Sequence, residues 1–546
     1  MKTTKLIHDI LAARGIKTKT EQADFLNPDY EKSKHDPFLL PDMKKAVARI
    51  KKALKADEKV TIYGDYDIDG MTATVILLKS LGKFGLNVKT YTPDRFSEGY
   101  GLNINAVEEI AADGTKLIIT VDNGTLSFDE IARAKELGVD VIVTDHHTPH
   151  DELPDAVAIV NPHRRDSKYP FSDLAGCGVA LKLVQALQTA LDGLAEGQEK
   201  WLLDLVALGT VCDIVSLLDE NRNNVYWGIE VLKKTRRPGL RALMAVARIK
   251  PEEINTRRIG FVLGPRLNAA GRLETAEYAL ELLSTEDPAR ALELAEKLDR
   301  LNLERRAEQD KIFSEAVEII GETSRGDVIV VARKGWNEGV IGIVASKLVE
   351  RYQCPAFVLA IGETETKGSG RSFGDFSLAA AIHATRPHLI KGGGHAAAGG
   401  VTVLSSKIEI WQTALVDYHR SLNLKNQAHH LLVKEDVVEI TLSGFNANLV
   451  HELEKLEPFG MGNERPIFRL SNMHARYVDR VGALKNHLKL TLEDDSHHLL
   501  KFLAFDPPED WFVELGAQVD VWVTLEINDW NGSQTVEGRI LRLEHQ

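Results

Sequence analysis

The 546-residue chain has few cysteines, and none of them is placed for pairing. Cys177, Cys212 and Cys354 are odd in number, far apart and in no C-x-x-C pair, which argues against a disulfide framework and a structural zinc site. No apolar run is long enough to cross a membrane, and no secretory signal precedes the first helix pattern. We therefore expect a cytoplasmic protein without a membrane anchor.

Two further absences limit the possible activities. The motif G-x-x-x-x-G-K is missing, which argues against an ATP-driven motor. The formal net charge of -13 argues mildly against nucleic-acid binding over the whole surface, although a local basic track is compatible with it. The length predicts about three or four domains.

The first informative segment is an apolar strand that ends in acids. Residues 60–64 form a β-branched run, and Asp65-Tyr66-Asp67-Ile68-Asp69-Gly70 follows it. Acids at alternate positions share one side of an extended chain and repel each other unless a proton or a cation neutralises them. Their oxygens suit a hard ion such as Mg²⁺ or Mn²⁺. For this segment alone, a simple polar turn is the alternative interpretation.

The same design recurs at two later strands. Residues 116–121 end in Asp122-Asn123-Gly124, and residues 140–144 end in Asp145-His146-His147. Helical patterns lie between the strands, which predicts a doubly wound parallel sheet with its ligand crevice at the strand carboxyl ends. A further acid, Asp213, follows the apolar helical run 202–211 and either ends that helix or is paired or coordinated.

Taken together, these segments resemble a known family. D-Y-D-I-D-G, V-D-N-G, T-D-H-H and G-T-V-C-D are similar to motifs one to four of the DHH phosphoesterases. G-P-R-L-N-A-A-G-R at 264–272 is similar to a further motif of the RecJ family of single-strand-specific exonucleases within this superfamily. G-S-G-R-S at 368–372 and G-G-G-H at 392–395 resemble the DHHA1 domain. The resemblance covers nearly the whole chain after residue 45.

The resemblance implies a Mn²⁺ or Mg²⁺ site, with two ions expected, and it assigns roles by position. The implied metal ligands are Asp67, Asp69, Asp122, His146 and Asp213. The implied catalytic residues are His147, Asp65 and His395. The implied substrate-binding residues are Arg95, Ser369 and Arg371 for a terminal 5′-phosphate, with Arg266, Asn268 and Arg272.

One position departs from the family pattern. Many DHH proteins carry a histidine four residues before the first ligating aspartate, where this chain has Tyr63. Either one ion then has a thinner coordination shell, or Asp65 helps to complete it.

We predict an α/β architecture in five parts. An N-terminal arm (1–45) precedes a parallel-sheet DHH phosphoesterase domain (46–272) and a helical connector (273–322). A smaller α/β DHHA1 domain (323–425) and a C-terminal OB-like β-barrel (426–546) follow. We expect the glycine-rich loops at 368–372 and 391–395 to approach phosphate oxygens closely, although each loop alone is also typical of an ordinary turn.

The barrel is predicted from five short alternating strands between residues 467 and 543. A basic excess between Gly462 and Leu490 is a candidate track for a nucleic-acid backbone, with Phe468 and Tyr477 as candidate stacking surfaces. A protein-binding or purely structural module is the alternative, because aromatic residues in strands usually fill cores.

The expected function is a metal-dependent 5′-to-3′ exonuclease that degrades single-stranded DNA to 5′-mononucleotides in repair and recombination. Its expected partners are single-stranded DNA with a 5′-phosphate end and a single-strand-binding protein or helicase, and the family suggests a monomer. The alternative enzyme is a DHH-type phosphodiesterase on short RNA oligonucleotides or cyclic dinucleotides, which need no extended track. A non-catalytic scaffold would be expected to have a degraded acid set, which this chain does not have.

Overall fold

The computed structural model describes residues 3–95, 97–321, 327–422, 437–482, 485–530 and 533–546. The chain divides into two compact units. The large unit contains residues 34–215 and 219–428, and the barrel unit contains residues 1–33, 216–218 and 429–546. The predicted boundaries at 322/323 and 425/426 lie outside the described residues, and the division into five parts stays a prediction.

The helices lie mostly in the large unit. In chain order they are α1 (Thr3–Ala13), α2 (Lys19–Leu26), α3 (Tyr30–Ser33), α4 (Met43–Lys55), α5 (Ile68–Lys83), α6 (Ile104–Ala112), α7 (Phe128–Glu136), α8 (Gly176–Gln188), α9 (Leu203–Cys212), α10 (Asp219–Lys233), α11 (Pro238–Val246), α12 (Thr256–Arg258), α13 (Gly264–Leu273), α14 (Glu277–Ser284), α15 (Pro288–Ile320), α16 (Ile341–Tyr352), α17 (Leu378–Ala384), α18 (Ile408–Ser421) and α19 (Ala447–Glu454).

The strands form three sheets. In chain order they are β1 (Lys59–Gly64), β2 (Asn87–Tyr91), β3 (Leu117–Val121), β4 (Asp140–Thr144), β5 (Ala158–Val160), β6 (Ile329–Lys334), β7 (Ala356–Ile361), β8 (Glu365–Arg371), β9 (Lys391–Gly394), β10 (Ala398–Leu404), β11 (Val437–Glu439), β12 (Ile467–Val481), β13 (His487–Glu493), β14 (Leu499–Ala504), β15 (Gln518–Trp530) and β16 (Ser533–His545).

The first sheet of the large unit is parallel throughout, in the order β2-β1-β3-β4-β5, which confirms the predicted class. Its central strands β3 and β4 are mostly apolar and almost entirely buried because helices cover both faces of such a sheet. Gly64 pairs with Val121, and Val121 pairs with Thr144, so three strands end level with each other. The residues that follow these strands therefore share one edge.

The second sheet is mixed, in the order β6-β7-β8-β10-β9, with β6 parallel to β7 and the other pairs antiparallel. The glycine-rich segments predicted as loops are mostly strands here, namely β8 and β9. Packing explains the glycines, because a β-carbon on Gly370 would lie 2.4 Å from the Phe357 ring and one on Gly368 would lie 2.3 Å from Leu359.

The barrel unit holds a six-stranded sheet in the order β11-β12-β13-β14-β16-β15, and an additional pairing of β12 with β15 closes it. This confirms the predicted OB-like barrel. Its core contains Phe468 and Phe502 from the strands and Leu6 and Ile10 from α1. None of the described helices is long and apolar enough to span a membrane.

Candidate active site

The first acidic segment turns directly from β1 into α5. Asp67 caps α5, and its Oδ1 atom accepts a hydrogen bond from the Gly70 amide at 3.0 Å. Asp69 lies in the first turn of α5, where its two oxygens accept hydrogen bonds from the amides of Gly176 (2.6 Å) and Cys177 (2.9 Å). Since these amides begin α8, the positive end of that helix holds the Asp69 carboxylate.

His146 lies where the other acids meet. Its Nε2 atom is 3.1 Å from Asp122 Oδ1, 3.6 Å from Asp213 Oδ2 and 3.8 Å from Asp69 Oδ2. Asp122 follows β3 with a left-handed backbone (φ 61°), and Asp213 is the residue that ends α9. Four separate parts of the chain thus bring these side chains to one edge of the sheet. The two interpretations of Asp213 both apply, because it ends its helix and also joins the cluster.

The donor atoms form three overlapping groups whose members lie within 4.8 Å of one another. The groups are Asp65, Asp67 and Asp122; Asp69, His146 and Asp213; and Asp122, His146 and His147. Buried atoms of Asp65, Asp122, His146 and Asp213 lack a hydrogen-bond partner in the described part of the chain. Orphaned carboxylate and imidazole donors of this kind fit divalent cations such as Mn²⁺ or Mg²⁺.

The electrostatics of the cluster lead to the same conclusion. Burial and repulsion by neighbouring acids raise the pKa of Asp65 and of Asp122 well above the ordinary value. The same two causes raise the pKa of Asp213 to about 8, and burial lowers the pKa of His146. Without a cation the cluster therefore retains protons near neutral pH, whereas a bound cation would stabilise the carboxylates in their charged form.

His147 is held by two residues for which the sequence assigned no role. Its Nδ1 atom lies 2.7 Å from Asp145 Oδ1, and the Tyr100 hydroxyl lies 3.1 Å from its Nε2 atom. Burial disfavours the His147 cation, but the bond to Asp145 raises the pKa of His147 to about 9. The position of Asp145 directly before two histidines at a strand end was a usable signal, whereas Tyr100 lies in no motif.

Tyr63 is a core residue. Its hydroxyl donates to the Gly101 carbonyl at 3.0 Å, and its ring stacks on Tyr91 with centroids 5.2 Å apart. Asp65, in contrast, shares a group with Asp67 and Asp122. Tyr63 occupies the position where many DHH proteins have a histidine. The geometry favours the second of the two possibilities, that Asp65 completes the site, over a thinner coordination shell.

A second cluster lies where the segment after β2 approaches the second sheet of the large unit. Arg95 and Ser369 line one cavity of about 700 Å³. Arg371 donates to the Ser369 hydroxyl at 3.2 Å, and a β-carbon on Gly342, near the start of α16, would lie 2.8 Å from that hydroxyl. A helix N-terminus, a hydroxyl and a guanidinium therefore converge on this cavity.

This second cluster carries an excess of positive charge. Arg95, Arg272 and Arg371 form no ion pair within the described ranges. Burial, followed by repulsion from Arg95, Arg305 and Arg371, lowers the pKa of Arg272 to about 9. Buried guanidinium groups without carboxylate partners are stabilised by an anion such as phosphate.

Three predicted site residues make no contact with either cluster among the contacts that the described residues show. Arg266 pairs with Asp299 at 2.8 Å and donates to the Val262 carbonyl. Asn268 is half-buried on α13, and His395 is exposed directly after β9. The roles of these three residues stay predictions.

The barrel surface corrects one expectation. Phe468 is fully buried in the core, so it is not a stacking surface, whereas Tyr477 is half exposed. Alternation predicted that one face of the strand is buried but did not identify which side chains it contains. Arg469, Arg476 and Arg480 pair with acids of the same unit, so part of the basic excess is neutralised locally.

Three family models match the chain: the DHH family N-terminal domain at residues 59–210, the DHHA1 domain at 325–416 and the RecJ OB domain at 438–542. The single-stranded-DNA-specific exonuclease RecJ of Salmonella typhimurium is 33% identical over 90% of this chain and 88% of its own length. The chain belongs to the RecJ family. RecJ of Bacillus subtilis is 40% identical over 97% of the chain, which spans 66% of that relative.

Solved RecJ structures share the fold. RecJ from Thermus thermophilus in complex with Mn²⁺ superimposes with a TM-score of 0.84 at 28% identity, covering 98% of this chain and 75% of that one. The same protein in complex with Mg²⁺ gives a TM-score of 0.78. The family placement agrees with the geometry, since the acid cluster lies within the region matched by the DHH model and directly after it.

Proposed function

We propose that the chain is a metal-dependent exonuclease that degrades single-stranded DNA from its 5′ end and releases 5′-mononucleotides. The observation that carries the proposal is the pairing of two clusters in one unit. One is a cluster of buried acids and a histidine with orphaned donor atoms, and the other is a cluster of half-buried arginines that form no ion pair in the described part of the chain. The first suits phosphodiester cleavage and the second suits a terminal phosphate.

The acids and His146 would hold Mn²⁺ or Mg²⁺, and the three overlapping groups leave room for two ions. Bound divalent cations supply Lewis-acid chemistry, because they activate water and neutralise charge on a phosphodiester. Asp122 and His146 each belong to two of the three groups, and Asp122 follows β3, which lies between β1 and β4, so we propose that Asp122 would be a central ligand of the site. His147, kept protonated by Asp145, would donate to a non-bridging oxygen of the scissile phosphate.

The arginine cluster would determine that digestion begins at the 5′ end of the strand. Arg371 and Ser369 lie on β8, close to the start of α16, and would hold the terminal 5′-phosphate. Arg95 and Arg272 would add positive charge. The Nε atom of Arg95 is buried and has no hydrogen-bond partner in the described part of the chain, which leaves it free to bind a phosphate oxygen.

The presence of the barrel favours a long single strand over a dinucleotide as the substrate. OB-type barrels carry single strands with little sequence preference, and a short or cyclic dinucleotide needs no such module. Because all the expected metal-ligand positions carry acids or histidine, the alternative of a non-catalytic scaffold is disfavoured. Repair and recombination in the cytoplasm, with a single-strand-binding protein or a helicase as partner, is the setting that we propose for this activity.

A metal-omission assay on labelled single strands tests chemistry and direction together. We expect no cleavage in EDTA, cleavage after addition of Mn²⁺ or Mg²⁺, and immediate release of a 5′-label as mononucleotide while a 3′-label remains on shortening fragments. A duplex of the same sequence should resist. Release of the 3′-label first, or faster hydrolysis of a labelled dinucleotide than of the long strand, would contradict the proposal.

A further inference from the structure

Phe261 is the most exposed large apolar side chain in the described part of the molecule, with 74% of its surface accessible. It lies in the π-helical turn Ile259–Leu263, which leads into α13. Exposing a phenylalanine to water is unfavourable, and π-helical turns are rare and occur frequently at functional sites. Packing of the fold does not account for an aromatic ring at this position.

The turn that carries Phe261 is fixed from the inside. Ile259 and Leu263 are fully buried. Arg266, itself paired with Asp299, donates to the Val262 carbonyl at 2.8 Å. Since a π-helical turn disturbs the regular backbone ladder, this bond satisfies a carbonyl next to Phe261. Arg266 therefore stabilises the turn, and its predicted role in substrate binding stays a prediction.

The turn packs against the end of α9, where the acid cluster begins. A β-carbon on Gly260 would lie 3.6 Å from Val211, and one on Gly264 would lie 2.7 Å from the Cys212 sulfur. Val211 and Cys212 are the last two residues of α9, and Asp213 follows them. Gly264 thus allows the turn to approach the helix end closely, whereas a side chain at Gly260 would make an ordinary van der Waals contact.

A second exposed apolar residue lies at the same helix end. Ile214 directly follows Asp213, has 67% of its surface exposed and adopts a left-handed backbone with φ 62°. This conformation is strained for a β-branched residue, and such strain clusters at functional sites. Phe261 and Ile214 therefore place apolar surface on both elements that meet beside Asp213.

We propose that Phe261, together with Ile214 at the adjoining end of α9, is a stacking platform for the nucleobase next to the scissile phosphate. The inference rests on the proposed function, because the adjacent acid cluster decides what the apolar surface meets. Arg257 and Arg258 border the turn and are exposed, with Arg258 also 3.9 Å from Glu253, so a flat apolar ligand with a negatively charged backbone is complementary to this surface. Stacking suits every base, which matches an enzyme that removes nucleotides regardless of sequence.

Binding of modified strands tests the platform. The probe is a 5′-phosphorylated single strand with nuclease-resistant phosphorothioate linkages and a 3′ fluorophore. It is used intact or with one abasic site at nucleotide 1, 2 or 6. Fluorescence anisotropy in the presence of Mn²⁺ measures its binding. The proteins are the parent, Phe261→Ala, Phe261→Trp and, as a control at another exposed aromatic residue of the large unit (57% accessible), Trp201→Ala.

We expect an abasic site at nucleotide 1 or 2 to weaken binding by the parent about 5- to 100-fold, the usual effect of one stacked base. Phe261→Ala should lose the same factor in affinity for the intact strand, and the abasic site should not weaken its binding further. Phe261→Trp and Trp201→Ala should bind like the parent. If the parent and Phe261→Ala bind the intact strand equally, or if an abasic site weakens binding equally in both, the stacking platform is refuted while the proposed function stands. A parent that binds no single strand would refute the proposed function as well.

Discussion

The Oδ1 atom of Asp145 lies 2.7 Å from the Nδ1 atom of His147 and also accepts hydrogen bonds from the amides of His146 (2.7 Å) and His147 (3.1 Å). The other Asp145 oxygen accepts from the Thr125 amide. One buried carboxylate therefore fixes both the backbone and the ring of His147. Burial opposes ionisation of Asp145, but the bond from His147 holds its pKa below the ordinary value.

Replacing Asp145 by asparagine should impair catalysis more than folding. Asp145→Asn keeps the side-chain size and one acceptor oxygen, but it removes the charge that stabilises the His147 cation. We expect kcat on single-stranded DNA to fall about 10- to 100-fold, the usual loss when a carboxylate behind an active-site histidine is removed. Steady-state kinetics beside Asp151→Asn, a change in an exposed pair with Arg165, is the check. Parent-like kcat would mean that the charge of Asp145 is not needed.

Asp122→Asn should separate catalysis from stability. Asparagine tolerates the left-handed backbone at this position, so the fold should persist. We expect turnover to fall more than about 100-fold, because a ligand shared by two of the donor groups is lost. In EDTA the variant should melt at or above the parent temperature, because one of the repelling acids has gone.

Metal addition completes that comparison. A cation at 100 times its Kd stabilises the folded parent by about 2.7 kcal/mol, so Mn²⁺ should raise its Tm, and this rise should be much smaller in Asp122→Asn. Calorimetry with and without Mn²⁺ measures both effects. An equal rise of Tm in the two proteins would exclude Asp122 as a metal ligand.

Much of the fold was predictable because its signals are local. The predicted strands at 116–121 and 140–144 agree with β3 and β4 to within one residue, since short β-branched runs bounded by polar residues identify buried strands. The acid cluster followed from the rule that ligands gather at the carboxyl ends of parallel strands. Both inferences needed only neighbouring residues and a fold class.

The remainder depends on tertiary partners that sequence does not reveal. The motif arginine Arg266 is paired with Asp299, 33 positions away, and Tyr63 bonds a carbonyl 38 positions away. Alternation assigned Phe468 to a strand but did not show that its face is the barrel core. β2 was missed because half-buried, polar Asn87–Tyr91 lacks the apolar run of a central strand.

Gly176→Ala should damage the cluster through one methyl group. A β-carbon at this position would lie 2.8 Å from Asp122 Cβ and 2.9 Å from Asp69 Oδ2, closer than side chains tolerate. We expect turnover to fall at least about 10-fold, because small misplacements of reacting groups are costly. Gly82→Ala on α5 is the matched control, because nothing lies within 4 Å of its β-carbon. It should retain activity and gain up to about 1 kcal/mol of stability. If both variants turn over normally, the close approach at α8 has no bearing on catalysis.

Arg371→Gln should remove the preference for a 5′-phosphate. The Arg371 guanidinium lies beside the Ser369 hydroxyl and near the start of α16, where it adds positive charge to a cavity whose one lining carboxylate among the described residues, Glu338, pairs with Lys367. A hydrogen bond to a charged group contributes about 1.5–3 kcal/mol, so kcat/KM on 5′-phosphorylated strands should fall about 10- to 150-fold. Activity on 5′-hydroxyl strands should change little, because they lack the charge that Arg371 would bind. Arg351→Gln, at the opposite end of α16, should leave both rates unaltered. A parallel fall on both substrates would show that Arg371 supports the fold or the acid cluster rather than recognition of the strand end.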